Sequence, residues 1–152
     1  MSVKIIDMNL LNNDADIIVQ QVNCKGVMGA GIAKSIRNKY PEVYDIYRNA
    51  FYNGHLKLGN VTYIKVNRNK QIVANICAQE GYGRHGRYTD YDAFRTCLER
   101  LKNYADENNI KHIAFPKGIG CGLAGGNWDI VFDIINDIFE KTDINVEICH
   151  LQ

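Results

Sequence analysis

The chain has 152 residues, of which 46% are hydrophobic and 23% charged, with 18 Lys and Arg against 17 Asp and Glu. That length suits one domain with a sizeable core, and the composition excludes disordered, collagen-like and coiled-coil classes. No apolar run reaches the roughly 20 residues of a bilayer-spanning helix, and the near balance of charge argues against a broad basic surface for long nucleic acid.

Met1 to Asp7 lacks the apolar stretch of a signal peptide and carries an acid within it, so a cytoplasmic location is expected. Val3 to Ile6 reads as a first strand. Asp16 to Asn23 reads as a second, with an almost unbroken apolar centre that implies burial on both faces. The spacing of Ile32, Ala33 and Ile36 predicts a helix over 30–40. Pro41 interrupts it and opens a further helical stretch through Tyr44, Ile46 and Tyr47.

Asn60 to Val66 and Gln71 to Cys77 form an expected antiparallel hairpin across the short Asn67–Lys70 connection. Thr89 is the expected N-cap of a long helix ending near Asn108, with Phe94, Leu98, Leu101 and Tyr104 as its apolar stripe. His112 to Pro116 is a strand. Asn127 caps a last helix bearing Val131, Ile134, Ile135 and Ile138, and Asn145 to His150 closes the sheet. Strands alternating with helices, plus one hairpin, predict a three-layer α/β/α sandwich with a mixed central sheet, the whole chain forming one domain. The five cysteines, Cys24, Cys77, Cys97, Cys121 and Cys149, are scattered among apolar residues. They are expected as buried thiols in a reducing compartment, without a disulfide framework or a metal site.

Glycine carries most of the functional signal. Gly26, Gly29 and Gly31 follow the second strand and open a helix. Gly118, Gly120, Gly122, Gly125 and Gly126 follow the His112–Pro116 strand and open another, and Gly81, Gly83 and Gly86 lie in a third loop after a strand. In an open α/β sheet, ligands bind beyond the carboxyl ends of the strands. There, glycine lets backbone approach a phosphate and helix N-termini offer unpaired N–H groups. Tight turns and close packing are the alternative reading of any one loop; two such loops together favour a gripped diphosphate. The P-loop signature is absent, and Gly118-Ile119-Gly120-Cys121-Gly122 lacks the spacing of a dinucleotide fingerprint.

Gln21-Val22-Asn23-Cys24-Lys25-Gly26-Val27-Met28-Gly29-Ala30-Gly31-Ile32-Ala33, followed by Phe115-Pro116-Lys117-Gly118-Ile119-Gly120-Cys121-Gly122-Leu123 and Trp128, resembles the macrodomain family. The branch most similar is that of terminal ADP-ribose protein glycohydrolase and yeast-type ADP-ribose 1″-phosphate phosphatases, and the match runs from the first strand to the last. The resemblance implies an ADP-ribose cleft at the strand ends and no cofactor. The implied partner is ADP-ribose or an ADP-ribosylated macromolecule, with no membrane; long nucleic acid is not expected, and no oligomeric state is assigned. Carried over by position, Asn9 falls where many members place an adenine-binding Asp, and Asn23 matches the asparagine facing the distal ribose. Gln21, Gly26 and the Met28, Gly29, Gly31 and Ile32 loop belong to the same wall. Gly118, Ile119, Gly120, Cys121, Gly122 and Leu123 face the diphosphate. His150, within Ile148 to Leu151, lies on the adenine side, and Trp128 wedges the second loop against the last helix.

The resemblance is less complete for catalysis. The glycohydrolase lysine and aspartate positions hold the Cys77-Ala78-Gln79 strand end and Ala124, and the phosphatase histidine position holds Gln20. The substitutes on offer are Asn23, Lys25, His85 and Asp90. Lys25 lies beside the expected distal ribose, and His85 and Asp90 lie in the third loop as proton carriers or water-positioning groups. Arg84 or Arg87 is suited to hold a terminal phosphate. Each has a plainer reading: solvated His85, helix-starting Asp90, surface Lys25. The function expected is therefore ADP-ribose binding with hydrolysis of a derivative, ADP-ribose 1″-phosphate or an ester. The alternative is a non-catalytic reader of ADP-ribose. The third loop is expected to act as a ligand-gated flap.

Overall fold

The computed structural model describes residues 3–29 and 31–151. Its strands are β1 (Val3–Asp7), β2 (Ile17–Asn23), β3 (Val61–Val66), β4 (Gln71–Gln79), β5 (His112–Pro116) and β6 (Asn145–His150). Its helices are α1 (Gly31–Lys39), α2 (Pro41–Tyr52), α3 (Tyr91–Glu107) and α4 (Trp128–Phe139), with one 3-10 turn at Leu10–Asn12 that the sequence pattern did not signal. The strands form one sheet in the order β1-β6-β5-β2-β4-β3. Every pairing is parallel except the β3–β4 hairpin, so the sheet is mixed, as expected.

Strand alternation sorts the core into two layers. Ile17, Val19, Ala74, Ile76, Ile113, Phe115, Val146 and Ile148 pack with the buried stripes of α3 and α4, including Phe94, Leu98, Ile135 and Phe139. Val22, Val73 and Cys77 turn to the other side and pack with Ile36 of α1 and Val43 and Tyr47 of α2. Each large side chain fully withdrawn from water contributes about 1.5–3 kcal/mol. Pro41 stands at the first turn of α2, where its missing N–H breaks no bond. Ala30, the first residue of the helix read from the sequence, lies outside the described residues.

Two expectations need correction. Thr89 is not the cap of α3: Asp90 caps it, its carboxylate accepting from the Ala93 amide at 2.9 Å, because the Thr89 hydroxyl is drawn into a buried network described below. The cysteines are not all free thiols, since Cys24 and Cys77 form a disulfide with Cα atoms 6.3 Å apart. The ends of neighbouring strands β2 and β4 bring together two residues 53 apart in sequence. Cys97, Cys121 and Cys149 are free, and burial pushes the Cys97 thiol up to about 12.

Candidate functional site

Beyond the carboxyl ends of β2, β4 and β5 lies a cleft of two joined compartments, about 310 and 470 Å³. Gln21, Ala33, Gln79, Leu123 and Ala124 line both. The smaller one is walled by the first turn of α1 and the loop after β5. The larger one is walled by Val27, Met28 and Gly29 of the β2–α1 loop and by Tyr82, Gly83 and Arg84 of the loop after β4.

The smaller compartment is made largely of backbone. Among the described residues, no atom accepts a hydrogen bond from the amides of Gly118, Gly120, Gly122, Leu123 or Ala124, all of which line it. The opening turn of α1 adds the unpaired N–H groups that every helix start carries. The loop keeps its shape through its other amides: Ile119 to Pro116 O, Cys121 to Gly118 O, and Gly126 to Gly120 O at 2.9 Å. Glycine is required at two points. Gly120 has φ +75°, and a Cβ there would lie 2.8 Å from Gln21 Oε1. Gly125 also has φ +75°, and its Cβ would lie 2.3 Å from the carbonyl oxygen of Gly86.

In the first loop, Asn23 acts as the organiser. Its Oδ1 accepts from Lys25 N at 3.0 Å, Val27 N at 3.3 Å and the Tyr47 hydroxyl at 2.8 Å, while its Nδ2 donates to Val27 O at 2.7 Å. Tyr47 rises from α2 to make this contact, and burial pushes its phenol up to about 12. Arg37 donates to Met28 O and Arg48 to Gly26 O, so two helix side chains clamp the loop from outside. Asn23 lines the larger compartment while holding its wall in place.

The third loop is clasped at its base. The β2–β4 register shifts between Val22 and Asn23, and at this bulge Gln79 comes beside Gln21. Gln21 Nε2 donates to Gln79 Oε1 at 2.8 Å and Thr89 Oγ1 at 2.9 Å, and the Thr89 hydroxyl donates to Gly120 O at 2.6 Å. The amides of Tyr88 and Thr89 both donate to Ala124 O. The second and third loops are thus joined through buried Thr89.

Of the expected ligand residues, Gln21, Asn23, Met28, Gly29, Gly31 and Ile32 line the cleft from the first side. Gly118, Ile119, Gly120, Gly122 and Leu123 line it from the second. Gly26 and Cys121 fall behind their loops; burial pushes the Cys121 thiol up to about 11. Asn9 does not line the cleft; its side chain caps the Leu10–Asn12 turn by accepting from Leu11 N. His150 also stays outside, exposed beside Asp7 at 3.5 Å, and Ile148 is wholly buried in the core. Trp128 packs on Phe132 and the main core at the start of α4.

The four candidate catalytic groups do not converge. Asn23 builds the loop, Lys25 pairs with Glu80 at the surface at 3.2 Å, His85 is exposed, and Asp90 is a helix cap. Arg84 and Lys117 are the charged side chains that line the two compartments, and no carboxylate joins them among the described residues. Sequence reasoning missed Gln79, Thr89, Tyr47 and Lys117. Two of them carried a signal: Gln79 closes the strand end matched to the glycohydrolase lysine, and Lys117 stands directly before the second glycine run.

The Macro domain family model matches residues 19–135 of the chain. The chain is 30% identical over 121 residues to the ADP-ribose glycohydrolase OARD1 of Bos taurus, covering 80% of this chain and 72% of that protein. It is 27% identical over 135 residues to the DNA ADP-ribosyl glycohydrolase of Mycobacterium tuberculosis, covering 88% of this chain and 37% of that longer protein. Among solved structures, the macrodomain of Thermus aquaticus DarG superposes with a TM-score of 0.82 at 24% identity, over 99% of this chain and 97% of that one.

Proposed function

The chain belongs to the Macro domain family, and from that premise we propose that its cleft binds ADP-ribose and that the bound molecule is a substrate for hydrolysis at the distal ribose. One observation carries the reading: unpaired amides of the loop after β5 and the N-terminal turn of α1 border one compartment whose charged side chain is Lys117. Amides and a helix start facing a common space suit a diphosphate, because they supply donors and positive potential without needing protonation. The larger compartment next to it takes the distal ribose, with Asn23 holding the wall and Arg84 supplying positive charge. The naming of the bovine and mycobacterial relatives as glycohydrolases supports hydrolysis. A Thermosipho africanus DarTG of the same fold, TM-score 0.85, was solved in complex with ADP-ribose, which supports the ligand.

Calorimetry with ADP-ribose, ADP and AMP tests the binding. ADP-ribose is expected to bind at micromolar concentration and AMP far more weakly; absence of heat with ADP-ribose overturns the reading. The second reading, a module that binds ADP-ribose without turnover, is favoured by the lack of any carboxylate, histidine or lysine lining the larger compartment among the described residues. Release of free ADP-ribose or phosphate from a modified substrate, lost in Asn23→Ala, decides for the enzyme.

A further inference from the structure

The disulfide of Cys24 and Cys77 stands at the root of the larger compartment. Cys24 follows Asn23 and opens the β2–α1 loop, while Cys77 lies within β4, two residues before Gln79. Their Cα atoms are 6.3 Å apart, inside the range that a disulfide spans. The Cys24 amide donates to the carbonyls of Gln79 and Glu80 at 3.0 and 3.3 Å, so the first loop leaves the sheet where the bond holds it. One covalent link ties the start of the first loop to the strand that leads into the third.

The two ends of that link are unequal. Cys77 is fixed between Ile76 and Ala78, both wholly buried, and pairs with Val22 in the sheet. Cys24 precedes a loop in which Lys25, Val27 and Gly29 are exposed. Both cysteines belong to the buried cluster that holds Met28, a lining residue of the larger compartment, and Tyr47, whose hydroxyl donates to Asn23 Oδ1 at 2.8 Å. Packing in such a cluster is close, and two unbonded sulfurs cannot remain at bonding separation. When the bond opens, the strand keeps its place and the loop gives way. The movement passes to Met28 and Tyr47, and through them to the Asn23 hub and the wall of the larger compartment. The amides of the smaller compartment belong to the loop after β5, to which the bond does not connect.

The other thiols do not compete for the pair. Cys97 and Cys149 lie in separate core clusters, and Cys121 packs against the main one. Cys97 Sγ meets Cys77 only at its carbonyl oxygen, 3.8 Å away.

We propose that Cys24 and Cys77 form a reversible oxidation site whose state sets how firmly the larger compartment holds its ligand. A thiolate of a dithiol reductant attacks the sulfur of Cys24, which is 7% exposed against 2% for Cys77. The S–S bond breaks, and Cys77 leaves as a thiolate that takes up a proton. The second thiol of the reductant then displaces Cys24 from the mixed disulfide, so two electrons pass to the protein and the reductant ends as a cyclic disulfide. A small disulfide such as oxidised glutathione reverses the exchange and is released as two thiols. The proposal rests on the ADP-ribose reading only for the identity of the ligand; the bond and the loop are measured without it.

The test compares the protein after dithiothreitol with the protein after oxidised glutathione. Alkylation in denaturant followed by mass spectrometry is expected to label five cysteines in the first and three in the second. The oxidised form is expected to melt about 5–15 °C higher and to exchange its amides more slowly across 23–29. By calorimetry the reduced form is expected to bind ADP-ribose about fivefold or more weakly than the oxidised form, and ADP within about twofold. Cys24→Ser and Cys77→Ser, made singly, are expected to hold the protein in the weak-binding state under both conditions, and Cys149→Ala to leave the response intact. The proposal is overturned if all five cysteines still label after oxidation, if exchange across 23–29 is the same in both forms, if ADP-ribose binds both forms equally, or if ADP weakens as much as ADP-ribose. If labelling and exchange respond but neither form binds ADP-ribose, the oxidation site stands and the ADP-ribose reading fails.

Discussion

The two compartments of the cleft are built from different materials. The smaller one presents backbone amides on a loop whose shape is fixed by its own turns and by Gly120 and Gly125, so its ligand preference is set by the path of the chain. The larger one presents side chains, and its walls hold only because Asn23, Tyr47, Arg37, Arg48 and the Gln21–Thr89 clasp support them from behind. A backbone-built site is altered chiefly by changes that displace the chain. A side-chain-built site changes with single residues, which is how one fold hosts several chemistries on a common ligand.

The contrast predicts a gradient of effects. Gly125→Ala is the most damaging change: alanine at φ +75° costs about 1–2 kcal/mol before its Cβ meets the Gly86 carbonyl. A stability loss of at least ~3 kcal/mol in urea unfolding is expected, and a loss below ~1 kcal/mol would break the claim that this turn is rigidly seated. Asn23→Ala removes a hub of four hydrogen bonds and is expected to cost about 2–4 kcal/mol. It should also weaken ADP-ribose binding about 10- to 100-fold by calorimetry.

Thr89→Val unlatches the third loop from the second. Amide hydrogen exchange should rise together across 81–89 and 118–124, with a cost of about 1–2 kcal/mol. Exchange that rises in one loop alone would show that they are not joined. Arg84→Ala, on an exposed side chain at the distal end, is expected to change free ADP-ribose affinity by less than about threefold. A loss as large as that of Asn23→Ala would show that Arg84 itself holds the ligand in the larger compartment.

The smallest effect lies far from the cleft. Burial of Glu147 opposes ionisation, but hydrogen bonds from His112 and Asn13 outweigh it and hold the carboxyl below its usual range. A carboxylate depressed on folding contributes stability above its unfolded pKa, near 4.3, and loses it as pH falls through the folded value. The contribution of Glu147 to the thermal midpoint should therefore be constant above about pH 5 and decline as pH falls below it, and Glu147→Gln should flatten that acid limb.

The sequence determined the layers and the address of the site. The apolar runs of β2 and β4, buried on both faces, and the stripe of Phe94, Leu98 and Leu101 demand a layer on each side of the sheet, and Pro41 fixes the break between α1 and α2. Glycines after β2 and β5 mark where the backbone must turn and present amides. These are local or periodic signals, so they are legible without knowing what lies opposite. The tertiary structure decided everything that depends on meeting a distant partner. The bulge at Val22/Asn23 brought Gln79 to Gln21, the buried clasp took Thr89 away from the helix cap and left the role to Asp90, and adjoining strand ends joined Cys24 to Cys77.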